Sequence, residues 1–269
     1  MAEKKRFFYG WLILLTCILI MGLGYAPLVS CASLFTKPVT EDLGFTRSGY
    51  ALVSTIAALM MAFMSPFIGK IMSKPYMHKA LVVCMIGNCL AYYCYSFAST
   101  LPQFYVTAAC IGFFECGSTM IPVSVLITNW FRKKRGLVMS IAMVGSSIGG
   151  TILSPIIGNL IASQGWRFTY KAVGITRLVI LVPLVLLVIR RTPADMGTKA
   201  YGADEEGETG KARKTEREWN VSLKEVKKKP MFWCFVLGCT LISATAAVIT
   251  QIPASVMDAG YATTTAASI

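Results

Sequence analysis

Predominantly apolar stretches of 18 or more residues recur along this chain, each long enough to cross a bilayer as a helix. They fall near residues 8–32, 50–71, 80–97, 103–131, 136–162, 170–189 and 231–257, and an eighth begins near Ala262 and is cut off at Ile269. Few folds can absorb such a pattern. The first stretch is too long for the core of a cleavable signal peptide and lacks a clean small-residue cleavage site, so it is expected to stay as the first span. Composition agrees: 55% of the 269 residues are hydrophobic and only 14% are charged, against about a quarter charged in a soluble domain. The chain reads as an all-α polytopic membrane protein.

The cations indicate orientation, because Lys and Arg gather in short cytoplasmic loops. With the N-terminus inside, 21 of the 26 fall on the cytoplasmic side, including Lys4 to Arg6, Lys70, Lys74, Lys79, Arg132, Lys133, Lys134 and Arg135. Lys37, Arg47, Arg167 and Lys171 fall at the outer loops and their borders, and Arg177 lies within span six. The net charge of +13 is then mainly a topology signal. Nucleic-acid binding is not indicated, since it needs a basic face on a soluble fold. Trp11, Trp130, Trp166 and Trp233 lie near expected span ends, at headgroup depth.

Enzymatic and metal chemistry find no footing. The nine cysteines lie in apolar spans without a CxxC pair, and His78 is the only histidine. There is no GxxxxGK[ST] loop, no GxSxG elbow and no acid pair set for catalysis. No cofactor is implied. Residues 192–229 are rich in both signs of charge and poor in apolar side chains. Near their end, Ser222 and Glu225 form a capping-box pattern that predicts a short helix, and Pro230 suits the start of span seven. The expected organisation is a six-span half over residues 1–191, a cytoplasmic linker over 192–229, and the beginning of a second set of spans over 230–269.

Six helices, a central charged loop and further helices, together with "FFYGWLILL", "EDLGFTRSGY", "NWFRKKRGLVMSIAMVGSSIGG", "GWRFTY" and "VKKKPMFWCFVL", resemble the major facilitator superfamily. The branch they resemble is monocarboxylate-transporter-like and oxalate/formate-antiporter-like. The resemblance implies an N-terminal six-helix half plus helix seven and the start of helix eight. It also implies secondary active transport of small organic anions by alternating access, as symport or antiport with a possible coupled proton, in a multi-pass plasma-membrane protein whose N-terminus is cytoplasmic. The other reading is a non-transporting truncated membrane protein or sensor built on half the fold. Two words depart from the superfamily's pattern. "GKIMSKPYMHK" puts Ser73 where a latching aspartate usually stands, and "GTILSPIIGN" has Ser154 and Asn159 in place of glycines around Pro155.

Site residues follow from the cost of intramembrane polarity. Glu115, about halfway along span four, is the only acid inside a span. A carboxyl group at that depth favours its neutral form and could bind and release a proton, or it could serve as a structural hydrogen-bonding group. Arg177 could hold a substrate carboxylate. The favoured expectation is instead that it snorkels outward from span six as an anchor. Tyr25, Ser30 and Ser118 are candidate hydrogen-bonders in a cavity or between helices, and Asn88 is expected to be structural. Gly145 and Gly149, four apart, leave one face of span five bare for a close helix contact. The resemblance implies that helix eight is included in that contact, with packing inside the first half as the alternative. Arg132 to Arg135 are expected to anchor the loop between spans four and five.

Overall fold

The computed structural model describes residues 8–198, 200–202, 226 and 228–249. The described residues form helices, short helical turns and a single isolated bridge between Phe131 and Tyr201. Span one runs Gly10–Leu43, past the expected end at residue 32. Polar Thr36, Lys37, Glu41 and Asp42 continue the helix, with Lys37 Nζ 4.0 Å from Glu41 Oε1 one turn on, until Gly44 at φ +66° ends it. Span two is Arg47–Met72, where the Thr46 hydroxyl accepts from the Gly49 N–H at 3.2 Å. Span three is Met77–Phe97 and span four Leu101–Trp130, opened by a Thr100–Gln103 capping box.

Spans five and six, expected with a loop between residues 162 and 170, adjoin directly within Arg135–Val188. Gly165 separates them at φ +81°, ψ +165°, a conformation almost confined to glycine. A seventh helix, Pro230–Ile249, starts at the expected proline. The capping-box residues Ser222 and Glu225, most of the linker and the expected eighth span lie outside the described residues.

Among the described residues, two spans are discontinuous. Ile20–Tyr25 of span one is π-helical, and Pro27, which has no N–H to give the preceding turn, follows within two residues. Span four breaks at Thr119, whose φ of −122° and ψ of −97° are not helical. Pro122 lies just beyond and cannot donate to the Ser118 carbonyl, which removes a bond across the break.

The glycine pair on span five meets span one, the packing inside the first half that was the alternative expectation; helix eight lies outside the described residues. A Cβ on Gly149 would collide with the Gly22 carbonyl oxygen, and one on Gly145 would lie 2.5 Å from that of Ile18. Bare backbones thus meet at this crossing, as small-residue motifs allow. Pro155 of the same span is exposed. Likewise, Gly112 of span four abuts the Ala57 carbonyl of span two, and Gly174 of span six lies against the Tyr93 backbone of span three.

The core has two apolar parts. One gathers Ile13, Trp130, Phe131, Met72, Leu81 and Val185 near the end that carries the Arg132–Arg135 cluster. The other gathers Phe35, Tyr50, Tyr92, Phe104, Trp166 and Tyr170 near the opposite end, where Phe35 and Tyr170 stack at 4.0 Å. Along spans three, four and six, Asn88, Glu115 and Arg177 fall where one part gives way to the other. A polar layer therefore interrupts the core at one level.

Candidate functional site

The layer is built around Glu115, on the last turn before the span-four break and 5% exposed. Asn88 of span three donates from Nδ2 to Glu115 Oε2 at 2.8 Å. Asn88 Oδ1 accepts from Arg177 Nη2, which also donates to the Gly24 carbonyl at 2.8 Å. Gly24 belongs to the π-helical segment of span one. The Thr119 hydroxyl lies 3.0 Å from Glu115 Oε1 and 3.0 Å from the Glu115 backbone carbonyl. That carbonyl also accepts the Thr119 N–H at 3.2 Å and the Ser118 hydroxyl at 3.3 Å. The Arg177 guanidinium lies 5.1 Å from the Tyr92 ring centroid, a cation–π arrangement.

The snorkelling expectation for Arg177 is overturned. The side chain is 2% exposed and turns into the bundle, because Asn88, the Gly24 carbonyl and the Tyr92 face offer a buried cation more than a climb past an aromatic layer would. Its cation does not touch Glu115 directly; the Asn88 amide stands between them. Such an arrangement disperses the charge pair without a contact ion pair; the cation is held through Nη2, while its Nε and Nη1 are buried without a hydrogen-bond partner among the described residues.

The remaining candidates divide. Ser118 is fully buried and spends its hydroxyl on its own helix. Tyr25 is half-buried and within electrostatic reach of Glu115. Ser30 is exposed and stands apart from the layer, where its Cβ and Oγ pack over Gly150 of span five. Sequence reasoning missed Thr119 and, although it took Asn88 as structural, did not place it beside Glu115 and Arg177. Neutral amides and hydroxyls are common in membrane helices, so neither stands out alone. A hydroxyl one turn after an acid in mid-span, followed by a proline three residues later, was the available signal for Thr119.

The end of span six is tied down around the Arg132–Arg135 loop. Arg135 Nε donates to the Phe131 carbonyl at 3.0 Å, and the backbone N–H groups of Arg132 and Lys133 donate to the Tyr201 carbonyl at 3.1 and 3.2 Å. Trp130 Nε1 donates to the Arg190 carbonyl at 2.9 Å, and Arg191 donates to the Ser73 carbonyl at 2.9 Å. Ser73, standing at the family's acidic latch position, thus meets a cation through its backbone. Among the described residues no cluster of three or more His, Cys, Asp or Glu side chains is placed to hold a metal.

A family model described as Major Facilitator Superfamily matches residues 12–269. The chain belongs to that superfamily. It is 24% identical over 229 residues to human monocarboxylate transporter 2, covering 84% of this chain and 45% of that protein. Chicken (Gallus gallus) monocarboxylate transporter 4 is 26% identical over 170 residues, 62% of this chain and 35% of its own length. An Aspergillus niger MFS-type transporter, pynF, is 27% identical over 189 residues, 68% of this chain and 43% of the relative. The chain spans less than half the length of these curated relatives. The crystal structure of a bacterial homolog of the human lysosomal transporter Spinster, inward-facing and unoccupied, superposes with a TM-score of 0.77 at 17% identity. That match covers 99% of this chain and 59% of the other, and it establishes the major facilitator fold. The protein is thus a multi-pass membrane protein of a transport family, not an enzyme.

Within this superfamily each six-helix half is a pair of inverted three-helix repeats. Spans one and four are then equivalent, as are two and five, and three and six. The two discontinuous spans, one and four, form one such pair, and the span one–five and four–two glycine crossings are exchanged by the same relation. Asn88 and Arg177 come from the equivalent spans three and six. The polar layer therefore draws on both of these equivalent pairs, one with four and three with six.

Proposed function

We propose that this chain takes part in secondary active transport of small organic anions such as monocarboxylates, by alternating access, with Glu115 carrying a coupled proton. The observation that carries this reading is Glu115 itself: a buried carboxyl at a helix break, held on both oxygens and linked to Arg177 only through an amide. A contact ion pair would hold the group ionised, and an apolar surround would hold it neutral. This surround has partners for both states. The relatives named as monocarboxylate transporters support the substrate class. The glycine crossings of spans one and five support rocking of packed helices rather than independent motion.

Uptake of a labelled monocarboxylate into proteoliposomes containing the intact protein tests this reading. Saturable uptake, accelerated by a pH gradient that is acidic on the entry side, is expected. Uptake that is linear with concentration and indifferent to the gradient would count against both the substrate class and the coupling.

A further inference from the structure

The proton on Glu115 has an assignable oxygen. Arg177 carries donors only, so Asn88 must present Oδ1 to it and is left with Nδ2 for Glu115 Oε2. Oε2 is thereby committed as an acceptor in either charge state. The site for a proton on Glu115 that leaves this acceptor undisturbed is Oε1, and the polar group facing Oε1 is the Thr119 hydroxyl at 3.0 Å. That hydroxyl has one proton and two acceptors at equal distance, Oε1 and the Glu115 backbone carbonyl.

We propose that Thr119 is the positioning residue for the coupled proton, its hydroxyl turning between two acceptors so that Glu115 is hydrogen-bonded both with and without the proton. The inference rests on the proton-carrying reading of Glu115 given above. In the neutral state, Glu115 Oε1–H donates to Thr119 Oγ1, and the hydroxyl proton goes to the Glu115 carbonyl. On release the Oε1–H bond breaks, the proton passes to water admitted on the open side, and the electron pair stays on Oε1. The hydroxyl then rotates and donates to Oε1. The carbonyl it leaves keeps the Thr119 N–H and the Ser118 hydroxyl, so no buried acceptor is orphaned. The break in span four brings the hydroxyl into this position, and the threonine methyl rests against Gly24 in the π-helical segment of span one, where a Cβ would lie 3.4 Å from it. The charged and titratable groups bearing on Glu115 are Arg177 of span six, Tyr25 of span one, Cys89 of span three and Cys116 of its own span. None of them makes the Oε1 hydrogen bond that Thr119 makes.

The test compares Thr119→Val, Thr119→Ser and Glu115→Gln in the reconstituted intact protein, reading substrate exchange at equal pH and pH-gradient-driven accumulation. A hydrogen bond to a charged group is lost in Thr119→Val, so accumulation should fall on the order of tenfold while exchange stays within about twofold of the parent. Thr119→Ser should restore accumulation. Should Thr119→Val abolish exchange as well, Thr119→Ala, which removes the hydroxyl without a second methyl, is read in its place. Full accumulation by either hydroxyl-less variant overturns the inference, as does loss of exchange in both. If Glu115→Gln still accumulates substrate normally, the coupling role of Glu115 fails instead, and Thr119 loses its role with it.

Discussion

Asn88 is the hinge of the polar layer because an amide can face a cation with one end and a carboxyl with the other. Asn88→Leu keeps the branched four-atom skeleton and removes both bonds, leaving Glu115 Oε2 and a charged guanidinium short of a partner. Interhelical hydrogen bonds in membranes are typically worth well under their value in an apolar solvent, so a loss of about 1–2 kcal/mol is expected, near the upper end for such bonds. Reversible denaturation in detergent measures it; a change indistinguishable from zero would mean that the amide is dispensable. The residue scale is where sequence reading was least complete. Glu115 was legible because an acid in an apolar span is rare and costly. Arg177 was equally visible, but its depth in span six said nothing about which way a long side chain turns. That choice depended on Asn88, Tyr92 and a span-one carbonyl, three partners distant in sequence.

Among the elements, the crossing of spans one and five is the closest approach that the sequence predicts by spacing. Gly149→Val would force the Gly22 backbone away, and overpacking of this kind costs about 1–3 kcal/mol. Gly136→Ala, on the same span with nothing within 4 Å of the added methyl, should be neutral or stabilise by about 0.5–1 kcal/mol through helix propensity. Thermal unfolding of the two variants side by side checks both, and equal Tm values would mean that the crossing is slack. Gly165→Ala, at φ +81°, should also destabilise, by about 1–3 kcal/mol, although no neighbour obstructs it. The spans themselves were readable from hydropathy, since each is a predominantly apolar run. Their ends were less so: Thr36 to Asp42 extend span one as a polar helix that hydropathy alone ends early, and the Gly165 reversal replaces an expected loop. The π-helical turn and the Thr119 break left only prolines as clues, because a proline signals a lost bond without telling whether the helix kinks, widens or stops.

For the whole molecule, the cation asymmetry and the fold together give a topology to be tested. In a background with the nine native cysteines replaced, Ser99→Cys, at an exposed loop, should react with an impermeant reagent from outside intact cells. Met196→Cys, exposed at the opposite end, should react only after permeabilisation. Labelling of both from outside would reverse or break the assigned orientation. The architecture was legible in the order of spans and the family words, whereas the polar layer needed coordinates, since it joins residues from spans one, three, four and six. What that layer does is tested most directly by Glu115→Gln in proteoliposomes of the intact protein, with exchange and gradient-driven accumulation measured on the same vesicles. Glutamine keeps the size and much of the hydrogen bonding but cannot titrate. Exchange should persist while accumulation against the gradient is lost; accumulation equal to that of the parent protein would contradict Glu115 as the carrier of the coupled proton.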